Sequence, residues 1–393
     1  MLRTVPVVAL PIGLNDLVYG LGHAACPRQM PRFELAMQQA CGCRYVFTAD
    51  SGTTSFYLGL LALKKVSGRT EVILPAYTAQ TLVTAVLAAG LKPVLCDITL
   101  DDFNPDIQSL LSSVTSRTLA VVCVHMFGIP VARTAELKQQ LPPEVFLIED
   151  CCQALGSQIQ SKPAGSWGDL SFFSFNRGKN ISLFGGGCLA TNSDRLRQSV
   201  EQIVAANPRR SGWIQEMRVL TGLIGLAVAV RPRMYGLLYP LLSRLRQQPA
   251  PQRVRVGAMS GAQAGTGEAL LRKLPFFSAQ RQSRVHDLLA GLSQCSGIRL
   301  PRIQTRLLPA CNRLPVLFEQ PDRRAVVMRA LLAQGIEASL MYLQPLHRAF
   351  DLGYKADAFP ASTYAAEHLL TLPVHPLVSG EDMRRMIDTI KAR

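Results

Sequence analysis

Lys179 lies in the loop of FSFNRGKN, five residues after Ser174, and Asp150 closes the apolar run VFLIE, 29 positions before the lysine. Further upstream, Ser51-Gly52-Thr53-Thr54 opens a helical pattern. An amine, a carboxylate and a small polar turn are what a cofactor with an aldehyde, a ring nitrogen and a phosphate demands. The amine forms an imine with the aldehyde, and the carboxylate keeps the ring nitrogen protonated so that the ring draws in electrons. Gly52 and Thr53, at a helix start, would offer amides without intrahelical partners, where the helix dipole favours an anion. The Ser174 hydroxyl would join them on the phosphate. Each group alone has a plain explanation: loop lysines are usually solvated, strand-end acids cap helices, and small polar turns start many helices. Their order and spacing together give the expectation of a pyridoxal 5'-phosphate site, with Lys179 and Asp150 as its catalytic residues.

Such a site needs elements to position it. From residue 45 to about 200, short apolar runs alternate with helix-like segments. Tyr45–Thr48, Glu71–Leu74, Pro93–Cys96, Leu119–Val124 and Val145–Glu149 read as strands. SFYLGLLALKKV and Gln80–Ala89 read as helices between them. Strands alternating with helices predict an α/β fold, a mostly parallel sheet covered on both faces. Sites in such sheets lie beyond the carboxyl ends of the strands, where Asp150, Ser174 and the Ser51–Thr53 turn all fall. From Lys273 onward, a helix, the strand RLPVLFE, a helix stopping at Gly335 and a last helix over Glu381–Ala392 predict a smaller α+β unit.

These motifs resemble the DegT/StrS-type sugar aminotransferases, fold-type-I pyridoxal-phosphate enzymes, over roughly residues 30–200 and 275–393. SGTT stands where the family has SGT-A-L, whose Gly-Thr, here Gly52 and Thr53, cradles the phosphate. Pro75-Ala76-Tyr77-Thr78 stands for its P-S-x-T, and VHMFGIP for its VHLYGQP. EDCCQALGS and GSWGDLSFFSFNRGKN match its ED-A-Q/H-A-GA and GS-GD-FSF-x-x-x-KN. The resemblance puts Asp150 on the ring nitrogen, Gln153 against the ring, Ser174 on the phosphate and the covalent attachment on Lys179. Tyr342, PLH at 345–347 and LTLPVHP match its small domain and make Tyr342 and His347 substrate-side residues. The alternative for His347 is a structural surface histidine. Departures exist. Ala79 replaces the family's ring-stacking aromatic, for which Tyr77 is the candidate substitute, and Met341 replaces its His. Gly185-Gly186-Gly187-Cys188 lacks the family's acid, and G-x-N-Y-R-M has no clear counterpart, GAMSGAQAG standing in its place.

The resemblance implies a homodimer that moves an amino group, from glutamate, to a keto-sugar carried on a nucleotide or a lipid, in glycan or natural-product biosynthesis. Two alternatives stand beside it: a pyridoxal-phosphate sugar dehydratase, and a non-catalytic, membrane-associated protein that keeps the fold. The dehydratase branch usually replaces the lysine with His, and Lys179 is present.

The rest of the composition concerns partners. The net charge is +15 over 393 residues, although only 18% are charged, so anionic partners are indicated. Between Ala205 and Val256 there are nine Arg, no Lys and a single acid, Glu216. This segment holds VLTGLIGLAVAV and MYGLLYPLLSRLR, each too short for the roughly 20 residues that span a bilayer. Read as a pair over 213–246, they suit a membrane surface, with apolar faces and arginines for headgroups. A buried helix pair or dimer interface edged with Arg is the competing reading. QQPAPQRV (247–254) reads as a loop and GAMSGAQAGTG (257–267) as a flexible connector. The arginines lack the interleaved aromatics of a nucleic-acid binder, so no nucleic acid is expected. The ten cysteines sit mostly in apolar runs without a CxxC pair, which predicts reduced thiols, no metal site and a cytoplasmic chain, peripheral at the inner membrane face if the apolar pair meets lipid. Two prolines break the apolar run of MLRTVPVVALPIGLNDL, against a secretory signal. The expected units are 1–204 with an N-terminal arm, 205–272 as the divergent segment, and 273–393.

Overall fold

Seven consecutive buried residues in Thr118–Val124 mark the middle of a sheet, because a strand covered on both faces shows no polar alternation. The computed structural model describes residues 3–24, 26, 28–207, 211–245 and 253–393. In chain order its first strands are β1 (Tyr45–Ala49), β2 (Glu71–Pro75), β3 (Lys92–Cys96), β4 (Thr118–Val124) and β5 (Phe146–Asp150). The two-residue β6 (Gln158–Ile159) and β7 (Lys162–Pro163) follow, then β8 (Leu170–Ser174) and β9 (Gly187–Thr191). Seven of them form one sheet in the order β1-β9-β8-β5-β4-β2-β3. All neighbours are parallel except β9, which runs against both β8 and β1. The expected mostly parallel α/β sheet is therefore present. The strands and helices expected from 45 to 150 appear within a residue or two of their predicted ends, the usual uncertainty of helix and strand boundaries.

The reversal at β9 positions the site. The chain leaves the end of β8 at Ser174, passes Lys179 and returns, so β9 starts beside the helix that follows β1. Ser51 bridges Gly186, and a Cβ on Gly187 would stand 2.4 Å from the Ser51 carbonyl carbon. Only glycine permits that approach.

Under the sheet's carboxyl end, Glu149 is fully buried and saturated. It accepts from the amides of Gly165 (2.8 Å), Trp167 (2.7 Å) and Gly168 (2.7 Å) and meets His125 Nε2 at 2.9 Å. His125 and Cys151 lie close enough to share a metal with Glu149, yet these bonds already use the carboxylate. Burial acts to raise its pKa, but His125 and the amides outweigh it and hold the group below 4.5. A lowered pKa means that the stabilisation exists above about pH 4.5 and disappears as pH falls through the depressed value. Glu149→Ala leaves three amides and a histidine without their acceptor, so a loss of about 3–5 kcal/mol is expected in denaturant titration at pH 7.

The smaller unit pairs β10 (Ile298–Arg299), β12 (Arg313–Phe318) and β13 (Leu369–Pro373) antiparallel, while β11 (Leu307–Leu308) joins β6 and β7. The N-terminal arm bridges the two units: Leu10 and Ile12 share an apolar cluster with Phe33 and Phe175, and residues 3–7 bond to the smaller unit. Arg3 grips Asp382 with two bonds of 2.6 and 2.7 Å, the Val7 amide donates to Glu337 at 2.9 Å, and Pro6 O meets His375 Nε2 at 2.7 Å.

The divergent segment forms two helices, Trp213–Ala229 and Pro232–Leu245. Val219, Leu223 and Ala227 share an apolar cluster with Leu10, Phe33, Phe175 and Leu183. The connector expected at 257–267 is in fact mostly a helix, Gly261–Leu271, with Ala262 to Leu271 all buried. Ser260 caps it, its side chain accepting from the Gln263 amide while Gln263 accepts from the Ser260 amide. Its glycines serve close packing: a Cβ on Gly265 would lie 2.8 Å from Gly20 Cα. Of the loop expected at 247–254, residues 247–252 lie outside the described residues.

Candidate active site

Asp150 ends β5 and is buried, flanked by Val124 on β4 and Phe172 on β8. The Cys152 amide donates to its Oδ1 at 2.9 Å. Burial pushes its pKa above the ordinary carboxylate value, while the Cys152 amide and the Lys179 charge act the other way. A carboxylate in this state favours any added cation. A protonated ring nitrogen would be one.

Gly52 begins the helix Gly52–Val66 directly beside the end of β8. A Cβ at position 52 would stand 2.7 Å from Ser174 Cβ, 3.2 Å from Cys152 Sγ and 3.3 Å from Phe173 O. Ser51 caps this helix by accepting from the Thr54 amide at 3.1 Å. The amides of Gly52 and Thr53 belong to the first turn, where helices have donors to spare. The Ser174 hydroxyl accepts from the Asn176 amide at 3.4 Å. Gly52 and Ser174 therefore lie side by side.

Gln153 is buried. Its Nε2 donates to Tyr342 Oη at 3.4 Å, and its Oε1 has no partner among the described residues. Tyr342 lies within electrostatic reach of Asp150, and burial raises its phenol pKa further than that carboxylate does. Tyr77 meets Tyr342 edge-on at 5.3 Å between ring centres, and its hydroxyl accepts from the Tyr342 amide at 3.5 Å. It is sealed from solvent. His347 is turned into the small unit instead, its Nε2 3.1 Å from Ala356 O and its ring 5.1 Å from Phe359. Its Nδ1 is buried without a partner among the described residues.

Lys179 is half-buried between this cluster and a cavity of about 770 Å³. The loop that carries it is tied down from below. The fully buried Arg281 donates from Nη2 to Asn180 O at 3.2 Å, and Asn180 Nδ2 donates to Leu155 O (2.8 Å) and Ala310 O (2.7 Å). The other side of the cavity is the N-terminal arm and the two helices of the divergent segment. The motifs of the cofactor core do not reveal these walls. The one signal for them in the sequence is composition, the apolar runs of the arm and of 219–245.

Pyridoxal phosphate fits what is present: a glycine cradle against a serine at a helix start, a buried unpartnered Gln153 oxygen, and a buried acid in electrostatic reach of one lysine. Fold and site together define a lysine-dependent pyridoxal-phosphate enzyme. Residues 26–391 match the model of the DegT/DnrJ/EryC1/StrS aminotransferase family, and the chain belongs to that family. It is a pyridoxal-phosphate-dependent aminotransferase. It is 26% identical over 379 residues to a UDP-N-acetyl-3-dehydro-alpha-D-glucosamine 3-aminotransferase of Acidithiobacillus ferrooxidans, covering 96% of this chain and 90% of that one. A dTDP-4-dehydro-2,3,6-trideoxy-D-glucose 4-aminotransferase of Saccharopolyspora spinosa is 26% identical over 340 residues, 86% of this chain and 82% of its own. In fold, the chain is similar to the sugar aminotransferase Spr1654 of Streptococcus pneumoniae in its PMP form. That match has a TM-score of 0.79 at 20% identity, over all of this chain and 98% of the other.

Proposed function

We propose that this chain transfers an amino group from glutamate to a keto group on a sugar carried by a diphosphate-bearing nucleotide or lipid. The observation that carries the reading is the grouping of a Gly52–Ser174 contact with Asp150, which lies in electrostatic reach of Lys179 and of Tyr342, the partner of Gln153. When bound, pyridoxal phosphate supplies an electron sink for the charge that develops at the substrate carbon. Gly52, Thr53 and Ser174 would hold its phosphate, and Asp150 would keep a proton on its ring nitrogen. Gln153 presses its amide on the ring, with Tyr342 setting the amide's orientation. Tyr77 buttresses Tyr342 from behind. Lys179 would take up and give back a proton at the donor's Cα, as base and then acid. His347 holds the small unit in place rather than touching substrate. The dehydratase and non-catalytic alternatives are not favoured by the relatives, which are aminotransferases by name. Glutamate added to the loaded protein should yield one equivalent of 2-oxoglutarate per site. Failure to form any keto acid would sink the reading.

The site belongs to a homodimeric, cytoplasmic enzyme that rests on the inner membrane face. No single described helix is long and apolar enough to cross a bilayer, and the pair Trp213–Ala229 and Pro232–Leu241 is bent by 113°. The outer sides of these helices carry Trp213 (77% exposed), Ile214, Met217, Ile224, Val228 and Leu237 (63% exposed), and Leu14 and Val18 of the helix Leu14–His23 add to the exposed apolar surface. Glu216, the segment's one acid, is used internally, accepting from the amides of Gly261 and Ala262. The remaining charge is positive, which selects an anionic lipid surface. The intact protein is expected to float with vesicles containing about one third phosphatidylglycerol, and less so in high salt as the Debye length shortens. Absence of flotation, together with a dimer that dissociates on Leu237→Glu, would assign the face to a second copy instead.

A further inference from the structure

The cavity beyond Lys179 has two chemically distinct ends. Near the lysine its wall contains Asn176, Arg177, Arg313 and Ser339. Three cations, Lys179, Arg177 and Arg313, face it, and no carboxylate is among its described lining residues. The far end is apolar: Val8 and Leu10 of the arm, then Leu226, Val230 and Leu238 of the helix pair. A volume of about 770 Å³ is within the roughly 300–1,000 Å³ of small-molecule sites, and more than one sugar ring requires.

The apolar end is a built wall. The Thr4 amide donates to Pro232 O at 2.8 Å, and Arg231 Nη2 donates to Ile12 O at 3.4 Å, joining the arm to the bend between the helices. Glu337 holds both at once, accepting from the Val7 amide and from Tyr235 Oη, each at 2.9 Å. The first helix closes on the lysine loop at Gly222, where a Cβ would lie 2.4 Å from the Phe184 ring. One turn on, Gly225 also lines the cavity, but a Cβ there would meet nothing within 4 Å. The helix is thus held tight at one point and leaves open space at the next.

We propose that this cavity takes the carrier of the amino acceptor as a lipid diphosphate, with the diphosphate at Arg177 and Arg313 and the hydrocarbon chain along Val8, Leu226, Val230 and Leu238. The proposal rests on the aminotransferase reading and decides between its two carriers. A nucleotide base has polar edges that must be hydrogen-bonded when buried. The far end offers one side-chain hydroxyl, Tyr235 Oη, and that already donates to Glu337. A hydrocarbon chain needs only apolar contact there. The same helices show their other sides as the exposed apolar face, so one pair of helices would meet the membrane outside and the chain inside.

The test is calorimetric titration of the full-length, cofactor-loaded protein with farnesyl diphosphate, inorganic pyrophosphate and UDP. Farnesyl diphosphate is expected to bind at least tenfold more tightly than pyrophosphate. Gly225→Leu, which fills the open space and raises helix propensity, should weaken farnesyl diphosphate at least tenfold and pyrophosphate little, with Gly225→Ala between the two. The thermal midpoints of both variants verify that they fold. Farnesyl diphosphate no tighter than pyrophosphate, UDP tighter than either, or no response to Gly225→Leu would each overturn the lipid carrier. The glutamate half-reaction of the wild-type protein needs no carrier and separates the failures. Normal keto-acid release without farnesyl diphosphate binding removes the lipid carrier alone, and no release removes the aminotransferase reading beneath it.

Discussion

Lys179→Ala is expected to abolish covalent fixation of the cofactor by borohydride and to lower amino transfer by at least about 10²–10⁴-fold, the range for one positioned acid–base group. Loss of covalent attachment adds to that. The expectation follows from position: Lys179 is the lysine whose charge acts on Asp150, and it stands between the cofactor cradle and the cavity. The loop should stay in place, because Asn180 and Arg281 hold it through backbone carbonyls rather than through the lysine side chain. Phosphate affinity, read from retention of the cofactor on gel filtration, should therefore fall less than activity. An Ala variant that transaminates at more than about a hundredth of the wild-type rate contradicts this role.

Asp150→Asn should cost about 10²–10³ in kcat, the size expected for one preorganised electrostatic group, and it should change stability in the opposite sense. Burial raises the Asp150 pKa above the ordinary 3.8, with Lys179 and the Cys152 amide opposing. A raised pKa means that the folded protein binds the proton more tightly than the unfolded chain. Without cofactor, the carboxyl's contribution is therefore best at low pH. The fold loses stability as pH rises from about 4 through the raised value, by about 1.4 kcal/mol for each pH unit between the unfolded and folded values. Asparagine has no charge to bury. In thermal melts of the cofactor-free proteins, Asp150→Asn should gain on wild type between pH 4 and 7. Adding pyridoxal phosphate should reverse the order, since wild type then has a cation for its carboxylate. Parallel midpoints across that range would show that the site tolerates the charge without help.

The parts of this architecture that sequence reveals are those made by neighbours in sequence. VVCV and VFLIE become inner strands because nearly every residue is apolar, and Asp150 and Ser174 stand where such runs stop. The proposed cofactor cradle is legible because its pieces each follow a strand. The segment 257–267 reads as a connector because of its glycines, although Ser260 and Gln263 have the spacing of a capping box. Those glycines answer to Gly20 and Phe33, more than 230 positions away. The cavity wall is hidden for a similar reason. Val7 and Glu337 are 330 residues apart, and no local pattern announces that an arm and a small unit will meet. PLH occurs at 345–347, and the motif does not announce that the His347 imidazole meets the Phe359 ring.

The arrangement also separates duties. In the proposed enzyme, the sheet's carboxyl ends would supply the cofactor cradle, the saturated Glu149 fixes the loops beneath it, and the divergent helices with the arm line the cavity at Lys179.

The proposed chemistry requires that Lys179 bear the cofactor. Borohydride reduction of the purified, pyridoxal-phosphate-loaded protein, followed by peptide mass spectrometry, tests this directly. The expected result is a single phosphopyridoxyl adduct, on the peptide containing Lys179, at close to one per chain. An adduct on another lysine, or none, would contradict it.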